Sequence, residues 1–245
     1  MARAIRFLFG VAAYLFFFAT FLYLIGFVTN MAVPRSVDIG DVTSPLNAVA
    51  INLLLFILFG VQHSVMARPE FKRALGRFWP EGIERSLYVA ATSIVLVVFF
   101  WQWRPIPEPL WSVADSTVRA VILTLSGAGW LIVLVSTFLL NHFELFGLRQ
   151  IWLDWNGRKM PESQFRQPLF YRFVRHPIYT GFLIAFWATP DMSVGHLLFA
   201  IGMTAYILIG IRYEERDLKE NLGDAYTVYS QNVGMIIPGL GKSKP

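Results

Sequence analysis

Charge is missing from long stretches of this chain, which are built instead from Leu, Phe, Val, Ile, Ala and Gly. A helix of about 20 such residues is enough to cross a hydrocarbon layer roughly 30 Å thick. The pattern predicts crossings at residues 5–29, 46–67, 85–103, 119–141, 177–190 and 193–212. Each is expected to be helical, because exposed strand edges find no hydrogen-bond partners in lipid. The fifth is short: its roughly 13 residues between Pro177 and Pro190 rise only about 20 Å, so it should pair with the sixth as a tight helical hairpin. The first stretch lacks the small-residue cleavage pattern that follows the apolar core of a signal peptide, and it reads as a retained anchor.

Composition agrees. With 56% hydrophobic and only 15% charged residues in a chain of 245, there is too little polar material to clothe a globular surface, and lipid must replace part of the water. The net charge of +5 reads as topology and contact with anionic head groups rather than as nucleic-acid binding. Arg3 and Arg6, the loop from Arg68 through Arg77 to Arg85, the loop from Arg149 to Arg175 and the tail from Arg212 to Lys244 hold 18 of the 21 Lys and Arg residues. Arg35, Arg104 and Arg119 fall on the other side, so both termini are expected in the cytosol. The connectors around 34–45 and 105–115 carry Pro and Asp and read as plain loops. There is no cysteine, which excludes disulfides, thiolate metal sites and a Cys nucleophile. The four histidines show no metal-ligand spacing, and no metal is implied.

The fold class is therefore all-α: a polytopic transmembrane helical bundle, with residues 1–141 supplying four N-terminal crossings and 142–245 forming a segment rich in polar groups. Gly127, Gly129, Gly202 and Gly210 are expected at close helix contacts. A transporter or channel normally needs ionisable groups deep within its spans, and apart from Asn52 and Gln62 the deep spans carry almost none, which argues against that class.

The hairpin brings Arg175-His176-Pro177 at its entrance next to Tyr213-Glu214-Glu215 at its exit, on the cytosolic side. Pro177 suits the first position of a helix, and the free N–H groups of that turn attract a carboxylate or phosphate. Glu214 and Glu215 are read as ending a helix C-terminally, where the helix dipole disfavours anions, so a ligand or arginine partner is expected. Because successive helical residues point about 100° apart, one glutamate should face the pocket and the other be solvated or paired. Such a corner, a cytosolic-side pocket at the hairpin, suits a zwitterionic, cationic ligand bearing sugar hydroxyls. The bland alternative is lipid phosphate held by Arg175 beside an interfacial Tyr179.

Arg175-His176-Pro177-Ile178-Tyr179-Thr180-Gly181, Glu214-Glu215-Arg216-Asp217-Leu218, Tyr226, Tyr229 and Pro238 together resemble the C-terminal catalytic segment of the isoprenylcysteine carboxyl methyltransferase and phospholipid methyltransferase superfamily. Gln62-His63-Ser64 and the run from Asn141-His142-Phe143-Glu144 to Gln150 resemble the bacterial methanethiol S-methyltransferases; denitrification-associated membrane proteins share parts of the pattern. The resemblance implies S-adenosylmethionine as methyl donor, a small thiol such as methanethiol as acceptor, dimethyl sulfide as product, and a bacterial inner membrane as location. It implies a cofactor pocket at Arg175, His176, Tyr179, Glu214 and Glu215, closed by Tyr226 or Tyr229.

Methyl transfer from a sulfonium to a thiol is an in-line displacement that prefers the thiolate. His142 and His176 are the candidate bases, and each can equally hold the cofactor or a carbonyl. His63 is read as an interfacial helix-end histidine or a pocket member. Apolar substrate and product both partition into membrane lipid, which explains a membrane location. The alternatives are a phospholipid or isoprenoid acceptor and a non-enzymatic subunit of a membrane complex.

Overall fold

The computed structural model describes residues 2–76, 82–161 and 166–243; Arg77 and Lys244 lie outside them. The described residues form a polytopic helical protein whose chain divides into two compact units. One holds Met1–Glu108, His142–Pro161 and Ser193–His196; the other holds Pro109–Asn141, Glu162–Met192 and Leu197–Pro245.

In the first unit, α1 (Ala2–Thr29), α2 (Pro45–Ala67), the short α3 (Pro69–Leu75) and α4 (Glu84–Gln102) are followed, after the excursion through the second unit, by α6 (His142–Leu145) and α7 (Leu148–Trp155). α1 and α2 both pack on α4, and α7 packs on α1. Leu8, Leu15 and Leu22 of α1, and Leu54, Ile57 and Val61 of α2, are exposed, as lipid-facing side chains should be. The interior is aromatic: Phe27 meets Phe99, Phe100 and Trp103, and the Trp103 indole donates to the Val37 carbonyl at 3.0 Å.

Asn52, fully buried, turns out to be structural. Its amide accepts from the Arg104 N–H at 2.9 Å and donates to the Arg104 carbonyl at 2.8 Å, supplying both partners that the backbone loses where α4 ends. Asn52→Leu strands both groups and is expected to cost about 1–3 kcal/mol, read as a lowered thermal midpoint of the solubilised protein.

The second unit contains β1 (Pro109–Ser112), α5 (Ser116–Leu139), α8 (Pro177–Trp187), most of α9 (Val194–Leu222) and α10 (Asp224–Asn232); β1 pairs with β2 (Asp191–Ser193). The loop expected around 105–115 thus carries a strand. Asp115 caps α5 by accepting from the N–H groups of Thr117 and Val118, and Arg119 forms an ion pair of 2.7 Å with Asp191.

α5 and α8 approach closely enough to need glycine on both sides. A Cβ on Gly129 would lie 2.7 Å from the Gly181 carbonyl oxygen, and one on Gly181 would lie 2.6 Å from that of Gly129. Gly129 thus behaves as expected. Added Cβ atoms at Gly127 and Gly210 would meet nothing within 4 Å among the described residues, so those two serve no close contact here. Gly181→Val is expected to force the helices apart at a cost of about 1–3 kcal/mol, visible in the thermal midpoint.

Among the described residues, five helices are long and apolar enough to cross a membrane by length and composition: α1, α2, α4, α5 and α9. α8 has 11 residues and rises about 16 Å, because the Thr189–Pro190 turn ends it early. It remains half of an antiparallel hairpin. Phe186 meets Phe199 edge to face at 5.2 Å, the Trp187 indole donates to Thr204, and the Tyr179 hydroxyl reaches Glu214. α9 runs to Leu222, about ten residues past its expected end. Glu214 and Glu215 therefore lie inside a helix, and the unfavourable dipole position expected for them does not arise.

Candidate functional site

The second unit gathers Arg175, His176, Tyr179, Glu214, Glu215 and Tyr229 into one cluster. Its foundation is the start of α8. Pro177 occupies the first helical turn, where its missing N–H leaves nothing unpaired, and among the described residues no side chain caps that end. His176 immediately precedes the helix and Tyr179 lies in its first turn. Across the hairpin, Glu214 and Glu215 extend from α9.

The two glutamates divide as their 100° offset requires. Glu215 is the inner one. Its Oε1 takes Arg175 Nε at 2.7 Å and Arg175 Nη2 at 2.6 Å, and His176 Nε2 lies 3.1 Å away. Glu214 is the outer one, half-exposed, accepting from the Tyr179 hydroxyl at 2.9 Å and lying 3.8 Å from His176 Nδ1. The His176 and Tyr179 rings stack at 5.6 Å. If His176 donates from Nε2 to Glu215, its Nδ1 is left as an acceptor on the Glu214 side.

Arg175 is buried, and its guanidinium is committed within the protein. Besides its hydrogen bond and ion pair with Glu215, Nη1 donates to the carbonyls of Ser230 at 3.0 Å and Val233 at 2.6 Å, and Nη2 to that of Gly241 at 3.0 Å. The tail after α10 is fastened to the same corner through backbone. The Arg175 and His176 N–H groups donate to Gly234 and Met235, and the Thr180 hydroxyl donates to the Ile236 carbonyl. The anchoring role of Arg175 and the part played by Thr180 leave no mark in the sequence. Their partners are main-chain carbonyls, which carry no residue-type signal; a run of Gly234, Pro238, Gly239 and Gly241 was the one available hint that the tail folds back.

Tyr226 and Tyr229 are both buried and meet edge to face at 5.7 Å. Tyr229 donates to the Tyr171 carbonyl at 2.5 Å; burial pushes its hydroxyl up to about 12. Burial likewise raises Tyr171 and Tyr226. These tyrosines are neutral packing groups near neutral pH.

His142 belongs to the first unit. It is buried, its Nε2 shares a hydrogen bond of 2.9 Å with the Tyr14 hydroxyl, and the Phe146 ring lies 4.9 Å away. Burial lowers its pKa, so it is a neutral imidazole at pH 7. His63, also in the first unit, lies 2.6 Å from the Tyr88 hydroxyl.

Residues 51–237 match the family model described as NnrU protein. The chain is 53% identical to methanethiol S-methyltransferase 1 of Bradyrhizobium diazoefficiens over 96% of its own length and 83% of that protein's. It is 50% identical to methanethiol S-methyltransferase of Mycobacterium tuberculosis over 97% of its length and 98% of the relative's. A more distant likeness, 30% identity over 72% of the chain and 70% of the relative, joins it to nurim of Mus musculus. No solved structure matches the chain.

Proposed function

We propose that this chain, which belongs to the NnrU protein family, is an integral membrane methyltransferase that converts methanethiol to dimethyl sulfide with S-adenosylmethionine as the methyl donor. The observation that carries the reaction is identity of about one residue in two with methanethiol S-methyltransferases along nearly the whole of both chains. The distribution of Lys and Arg supports an inner-membrane location with both termini and the hairpin entrance in the cytosol.

The cluster at the start of α8 fits the donor chemically. Glu214, half-exposed, is the carboxylate available to ribose hydroxyls or an ammonium group. The stacked rings of His176 and Tyr179 offer an aromatic face to a sulfonium, and the first turn of α8 offers N–H dipoles to a carboxylate. Arg175, buried and committed to Glu215 and three backbone carbonyls, holds Glu215 rather than the ligand, and Glu215 fixes the His176 ring. When bound, S-adenosylmethionine supplies a methyl group on a cationic sulfur.

The protein's own part is to orient the acceptor and to accept the thiol proton, since thiolate is the stronger nucleophile. Within this cluster His176 Nδ1 is the nitrogen suited to hold that proton. Calorimetric titration with S-adenosylhomocysteine tests the site: wild type should bind and His176→Ala should not. Equal binding by both would move the cofactor elsewhere.

A further inference from the structure

Within the first unit, α2 and α4 carry a polar cluster that the methyl-donor corner does not use: Gln62, His63, Met66, Tyr88 and Thr92, each half-buried. The His63 ring lies between Tyr88, 2.6 Å from Nε2, and Thr92, 3.4 Å from Nδ1. Thr92 in turn accepts from Gln62 Nε2 at 3.3 Å. Polar groups on membrane helices are costly and tend to mark sites of function.

Two details define what this cluster recognises. The Gln62 amide N–H also points at the Met66 sulfur, 3.1 Å away, so the amide already holds a methyl thioether, with sulfur as a weak acceptor. The other end of the same amide, Gln62 Oε1, is buried yet accepts no hydrogen bond among the described residues. A buried acceptor left unpaired costs about 1–3 kcal/mol, which a ligand bringing one hydrogen would recover.

We infer that Gln62, with His63 and Thr92 bracing it, forms a binding site for small apolar thiols, whose S–H donates to Gln62 Oε1 while the alkyl group lies against Met66. The inference rests on the proposed reaction for the identity of the thiol, methanethiol. It adds a reason for directionality: the methylated product has lost the hydrogen that Oε1 accepts. Val61 and Val65 beside the cluster are exposed, so a thiol dissolved in lipid can reach it.

The test uses the full chain in nanodiscs with 13C-methyl methionine, the Met66 signal being assigned by its loss in Met66→Leu. Methanethiol should move the Met66 methyl resonance saturably and dimethyl sulfide should not. Gln62→Leu, or Thr92→Val if the first variant is poorly folded, should weaken that response and raise the KM for methanethiol about fivefold, the value of one net hydrogen bond, with S-adenosylhomocysteine affinity unchanged. Identical responses to thiol and thioether, no saturable response, or an unaltered KM in folded variants would each overturn the inference. A saturable methanethiol response in a protein that forms no dimethyl sulfide would leave the thiol site standing and remove the proposed reaction.

Discussion

Arg175→Ala is expected to destabilise the protein by about 3–5 kcal/mol, the scale of removing one partner from a buried ion pair. The Arg175 side chain is 2% exposed and that of Glu215 16%, so water cannot replace the lost donors. Glu215 would be left as an uncompensated carboxylate, and the Ser230, Val233 and Gly241 carbonyls would lose their shared partner. The tail should then detach: limited proteolysis after residue 233 should accelerate sharply while the thermal midpoint falls. Arg175→Lys keeps one charge but not the five-donor fork, and should recover only part of the loss. A variant with wild-type midpoint and an uncut tail would show that Arg175 is not the anchor described.

Glu214→Ala should separate binding from stability. Glu214 is half-exposed, and among the described residues its side chain accepts one hydrogen bond, from Tyr179, so its removal should leave the thermal midpoint nearly unchanged. Hydrogen bonds to a charged group contribute about 1.5–3 kcal/mol, so S-adenosylhomocysteine affinity should fall roughly 10- to 150-fold. Glu215→Ala should lower both, because the inner glutamate holds Arg175 and His176 together. Equal affinity losses with equal destabilisation in the two variants would erase the division between an outer, ligand-facing carboxylate and an inner, bracing one.

Much of this architecture is legible in the sequence, because lipid imposes a simple rule. Wherever charge is absent for 20 residues, a crossing helix is the available solution, and α1, α2, α4, α5 and α9 follow. α8 is shorter than its expected stretch, because apolar residues continue to its end while the Thr189–Pro190 turn stops the helix after three turns. α9 departs in the opposite direction. The charges from Arg212 onward mark where the apolar stretch stops, yet the helix itself continues, with Arg216 and Glu220 paired at 2.9 Å one turn apart.

The candidate site divides in the same way. That Arg175-His176 and Glu214-Glu215 meet follows from hairpin connectivity, and that only one glutamate turns inward follows from helical geometry. What Arg175 holds was hidden, since three of its acceptors are carbonyls of a tail whose path no side-chain pattern announces. Gly181 is part of the motif, and α5 explains why: a Cβ there would lie 2.6 Å from the Gly129 carbonyl oxygen. The sulfur contact of Gln62 with Met66 is an i,i+4 pair on α2 whose meaning depends on Thr92 from another helix, which spacing alone does not reveal.

The most direct test of the whole account is headspace mass spectrometry of the purified, lipid-reconstituted protein supplied with methanethiol and S-adenosylmethionine carrying a trideuterated methyl group. The account predicts trideuterated dimethyl sulfide from the wild type and little or none from His176→Ala. Absence of labelled dimethyl sulfide from a folded wild type that binds S-adenosylhomocysteine would contradict it and direct attention to a lipid acceptor.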